Sequence, residues 1–128
     1  MGYSMTVKKS RFRIPAEKIN EVKNALVNFL RSTYYFRWAR RPKPNEYVSL
    51  RDLLKDMGWN PKRDVEGNVV ALELWAEKLG DDLHMFKALA PFVEPGCFIE
   101  MFGEDGDQWR WAFDGTTCRE LKPKVIWE

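Results

Sequence analysis

The stretch "GEDGDQWRWAFDG" at 103–115 places four carboxylates, three glycines and three large aromatic residues in thirteen positions. Clustered carboxylates can hold a divalent metal or work as acid and base, and Glu100, Glu104 and Asp107 are the set that a metal-assisted nuclease or phosphoesterase would use. The spacing argues against a calcium loop: counted from Asp105, the third ligand position of an EF-hand falls on Trp109. Asp105-Gly106, flanked by alternating residues, is instead a hairpin signal of the two-residue type I′ kind. That turn pairs Glu104 with Asp107, Phe102 with Trp109, Glu100 with Trp111 and Phe98 with Phe113. One side of the ribbon is then aromatic, and Glu100 sits among rings, where its pKa should rise unless an arginine reaches it. Met101 faces Arg110 and Ile99 faces Ala112 on the other side. Glu100, Trp109 and Trp111 are therefore candidate binding residues. Four large rings left in water would be unusual for a monomer, so helices over 15–32 and 81–93 are expected to cover them at least in part.

A second candidate is "YYFRWARRPK" at 34–43, which interleaves Tyr34, Tyr35, Phe36 and Trp38 with Arg37, Arg40, Arg41 and Lys43. Cations meet phosphates and ring faces stack on unpaired bases, so the composition suits single-stranded nucleic acid. The competing reading buries the rings under the loop and pairs the arginines with acidic residues elsewhere. His84 is the single histidine of the chain, which excludes a metal centre built on several imidazoles within one chain. Cys97 and Cys118 are expected on strands separated by a third, too far apart for a disulfide, and read as reduced core thiols. Neither phosphate-loop nor dinucleotide-fold glycine motifs, nor a G-x-S-x-G or H-E-x-x-H sequence, is present, and no cofactor or metal is expected.

The elements that must carry these residues follow from periodicity. Alternation through Met5, Val7, Phe12 and Ile14 predicts a strand over 4–13. Pro15 suits a first helical turn, and Ile19, Val22, Leu26, Phe29 and Leu30 recur at helical spacing to about residue 32. Prolines 42 and 44 break the pattern. Ser49 caps a short helix carrying Leu50, Leu53, Leu54 and Met57, closed by Gly58. Residues 59–68 read as loop, and 69–76 as an interior strand apolar on both faces. Asp81 or Asp82 begins a third helix with Leu83, Phe86, Leu89 and Val93, kinked or ended by Pro91. Strands follow at about 97–103, 108–113 and 118–127, the last disturbed by Pro123. The order predicts a single α+β domain over 1–128, with three helices on one face of a mainly antiparallel sheet of about four to five strands ending in a β-meander.

With 128 residues, 45% of them apolar, the chain can bury a core. No apolar run reaches membrane-spanning or secretory length, so no membrane partner and a cytoplasmic location are expected. Met1-Gly2 with Thr6 fits the letters of a myristoylation signal, but Gly2 leads directly into the first strand and the match is read as chance. The net charge of +2 hides a division: residues 1–66 carry +8 and residues 67–128 carry −6. Residues 89–115, from a helix ending in Pro-Phe-Val to the Gly-Glu-Asp-Gly and Trp-Arg-Trp hairpin, resemble a group of small uncharacterised bacterial and phage-type proteins. The resemblance implies an accessory protein and no particular activity. The leading expectation is a non-enzymatic binding or regulatory module whose partner is a macromolecule, either protein, with self-association included, or single-stranded nucleic acid. The alternative is the carboxylate-dependent hydrolase.

Overall fold

The computed structural model describes residues 5–32, 48–74 and 82–127. β1 (Met5–Arg11) is followed by a 3-10 turn (Ala16–Lys18) and α1 (Ile19–Ser32), then α2 (Leu50–Asp56), β2 (Trp59–Arg63), β3 (Val69–Leu74) and α3 (Asp82–Leu89). A second 3-10 turn (Ala90–Phe92) leads to β4 (Phe98–Gly103), β5 (Gln108–Phe113) and β6 (Cys118–Leu121). The mixed α+β architecture with a C-terminal meander is as expected. One feature differs: the strands form two antiparallel sheets, one of four in the order β1-β4-β5-β6 and one of two, β2 with β3.

Each helix follows its apolar stripe. α1 buries Ile19, Val22, Leu26 and Leu30, and α2 starts where the Ser49 side chain accepts the Asp52 N–H at 3.1 Å. α3 gives way at Leu89 to the 3-10 turn that contains Pro91, since a proline there has no N–H to continue the ladder.

The strand β2 lies in sequence read as loop. Pro61 cannot donate to a ladder, but β2 pairs only with β3, and proline is tolerated on its other, unpaired edge. Trp59 anchors it, fully buried, with its ring edge-on to Phe86 at 5.3 Å and to Trp111 at 6.1 Å. β3 is accordingly not an interior strand: Val70 on it is exposed, and the expected residues 75 and 76 lie outside the described part. Ile14 and Val69 exchange two backbone hydrogen bonds of 2.9 Å, joining the chain just beyond β1 to the ribbon.

One face of the larger sheet is core. Met5, Ile99, Met101, Trp109, Trp111, Phe113 and Cys118 are buried there. Phe86 of α3 packs on Trp111 at 4.9 Å and on Phe113 at 5.8 Å. The aromatic side of the hairpin is thus covered, by α3 and Trp59.

Candidate functional site

The hairpin β4–β5 is offset by one residue from the pairing that a two-residue turn would impose. Gly103 N–H donates to Asp107 O at 2.8 Å, and Gly106 N–H to Gly103 O at 2.9 Å, which makes Glu104, Asp105 and Gly106 a three-residue loop with Gly106 at φ 87°. The Asp105 carboxylate accepts the Asp107 N–H at 3.0 Å and holds the loop closed. In the resulting register Glu100 pairs with Arg110, Ile99 with Trp111, Met101 with Trp109, Phe98 with Ala112 and Phe102 with Gln108. A shift of one residue exchanges cross-strand partners between faces. Glu100 does not lie among the tryptophans: it faces outward, and Trp109 and Trp111 face inward.

Two predicted binding residues turn inward. Trp111 is a core residue whose Nε1 donates to Glu120 Oε1 at 3.1 Å. Trp109 is also largely buried but lines the groove described below, where Lys122 Nζ stands 5.4 Å above its ring. The Arg110 guanidinium, 2.5 Å from the Glu100 carboxylate, holds that carboxyl below the usual glutamate range, the reverse of the rise expected among rings. Tyr34, Tyr35, Arg37, Trp38, Arg40, Arg41 and Lys43 lie outside the described residues.

What the structure brings together is the outward face of the four-stranded sheet. Thr6, Lys9 and Arg11 of β1 stand opposite Phe102, Glu100 and Phe98 of β4. These in turn face Gln108, Arg110 and Ala112 of β5, and Leu121 and Arg119 of β6 follow opposite Arg110 and Ala112. Lys8, at the bulge in β1, reaches over to donate to Gln108 Oε1 at 3.2 Å. Among the described residues, five cations, Lys8, Lys9, Arg11, Arg110 and Arg119, thus share the face with one carboxylate, Glu100. The rings on it are Phe102, 41% exposed, and Phe98, with the Arg110 guanidinium 4.6 Å from its centroid.

At the β5–β6 side a groove of about 250 Å³ opens, lined by Glu100, Gln108, Trp109, Arg110, Leu121, Lys122 and Pro123. The segment 122–127 that starts at its rim makes no strand and exposes Val125, Ile126 and Trp127. Sequence reasoning singled out none of Lys8, Lys9, Arg11, Phe98, Phe102, Arg110 and Arg119 as site residues. Alternation from inward Met5 and Val7 would place Lys9 and Arg11 on the inner face, and the bulge between Val7 and Lys9 turns them outward; on β4 both alternating sets include large apolar residues, so outward and inward cannot be told apart there.

The carboxylates of the alternative reading do not converge. Glu100 is taken by Arg110 and Asp107 lies 3.5 Å from Lys122 Nζ. Among the described residues no three His, Cys, Asp or Glu side chains gather as a metal-ligand set. The Cys97 thiol is pushed up by burial and that of Cys118 to about 12, so both stay protonated at neutral pH. Comparisons with protein-family models, with curated proteins and with solved structures find no match to the chain.

Proposed function

We propose that the protein is a non-enzymatic binding module for single-stranded nucleic acid, with the outward face of the four-stranded sheet as its platform. The observation that carries this reading is the composition of that face among the described residues: five cations against one carboxylate, with the Phe98 and Phe102 rings among them. An open antiparallel sheet holds such side chains in rows about 4.8 Å apart. Cations in rows follow a phosphate backbone, and rings between them offer stacking surfaces to unpaired bases. The residues of 34–43 add the same chemistry by composition. A duplex fits the face less well, because its bases are already stacked and closed to the rings.

Fluorescence anisotropy with a labelled single-stranded oligonucleotide tests this. Affinity is expected to fall with salt, log against log, by about 0.7 per phosphate contact. The pair Lys9→Ala and Arg119→Ala should shallow that slope by about one, whereas Phe102→Ala should cost roughly 1–3 kcal/mol and leave the slope unchanged. A folded protein that binds no oligonucleotide at low salt would remove the reading and leave an acidic protein surface as the partner.

A further inference from the structure

We propose that the groove beside Glu100 is a base pocket that selects guanine, with Glu100 as its specificity-determining residue; this rests on the nucleic-acid reading above. The argument begins with the sign of the charge. Every other ionic side chain on the face among the described residues attracts phosphate, and Glu100 repels it. A carboxylate is acceptor-only when ionised, and the Arg110 guanidinium beside it favours that form. On a nucleic-acid platform such a group is useful only toward a donor edge of a base.

The bases differ in what they offer. Uracil and thymine present one N–H between two carbonyls, and adenine and cytosine present one amino group beside ring acceptors. Guanine alone places two donors side by side, the N1–H and the N2 amino group, which match the two oxygens of one carboxylate. Its O6 and N7 are acceptors, for which arginine and lysine are the ordinary partners. The groove supplies both halves: Glu100 for the donor edge, Arg110 and Lys122 for the acceptors. Leu121 and Pro123 line the same groove and give a flat ring apolar contact. Gln108 Oε1 accepts from Lys8 and Glu100 Oε1 from Arg110, but an ionised carboxylate offers about four acceptor sites, so the bond to Arg110 leaves Glu100 room for both guanine donors.

The test uses thymidine hexamers with one central deoxyguanosine, deoxyinosine or deoxyadenosine, measured by anisotropy against the full chain. Inosine keeps O6, N7 and N1–H and lacks only the 2-amino group, so the comparison needs no variant. Guanosine is expected to bind about tenfold more tightly than inosine or adenosine, the order of one charge-assisted hydrogen bond. Glu100→Gln should bring the three together while affinity for plain thymidine hexamer holds or rises. Equal affinity for the three hexamers, or a guanosine preference that survives Glu100→Gln, would overturn the pocket. If Phe102→Ala and the Lys9/Arg119 pair still lose affinity in that case, the platform stands and the pocket alone is wrong. Absence of any binding removes both.

Discussion

At the scale of single residues, Glu100 and Arg110 show how one contact sets a group's chemistry. Both side chains reach solvent, so their attraction is screened and its value to the fold is small. Its sign is nevertheless definite. The hydrogen bond from Arg110 lowers the Glu100 pKa from the ordinary 4.5, so the ionised form is favoured more in the folded than in the unfolded chain. Stability from this source is complete above the unfolded value and is lost as pH falls through the folded one. Arg110→Ala should therefore move the Glu100 titration, followed by carboxyl carbon NMR, upward toward 4.5. The stability gap between parent and variant should be constant at neutral pH and close as the solution is acidified below that range. A titration unmoved by the substitution would show that the ion pair does not form in solution.

At the scale of elements, glycine conformation separates two turns that look alike in sequence. Gly106, in the β4–β5 loop, and Gly115, in the β5–β6 connection, both have positive φ, 87° and 92°. A methyl group at Gly106 would meet nothing within 4 Å, whereas one at Gly115 would stand 3.0 Å from Pro95 Cγ. Gly106→Ala should cost about 1 kcal/mol for the left-handed backbone alone. Gly115→Ala should cost distinctly more, because the proline ring that it strikes must shift. Urea unfolding of the two variants compares them directly, and equal losses would contradict the contact with Pro95. The connection at 115 is also held by Asp114, whose carboxylate accepts the N–H groups of Thr116 and Thr117 at 2.9 and 2.8 Å. Those bonds lower its pKa.

At the scale of the whole molecule, the ring cluster of Trp59, Phe86 and Trp111 joins three elements: the two-stranded ribbon, α3 and the four-stranded sheet. The Ile14–Val69 bridge adds a backbone link between the same parts. Shared packing of this kind makes separate unfolding of the ribbon costly, since it would expose the inner surface of the sheet. Far-ultraviolet circular dichroism and tryptophan fluorescence should therefore report one urea midpoint. Two resolved midpoints would mean that ribbon and sheet are independent. Charge is also arranged at this scale, because the basic face draws Lys8, Lys9 and Arg11 from one end of the chain and Arg110 and Arg119 from the other. The division between a basic first half and an acidic second half does not predict that grouping.

Local order was legible in the residues themselves. The stripe of α1, the Ser49 cap, the end of α3 at Pro91, the meander and the reduced core cysteines all rest on interactions within a few positions of one another or on simple alternation, and each is found. What sequence could not decide was anything that turned on a single step of pairing or on a distant partner. One extra loop residue at Gly106 sent Glu100 outward to Arg110 in place of Trp111. Pro61 disguised β2, whose pairing with β3 depends on a buried Trp59 held by rings far along the chain. The basic face exists only because β1 pairs with β4, across more than eighty residues. Propensity acts over neighbours in sequence, whereas register and sheet order are settled by which of several similar apolar surfaces is buried, a choice made only when the whole core closes.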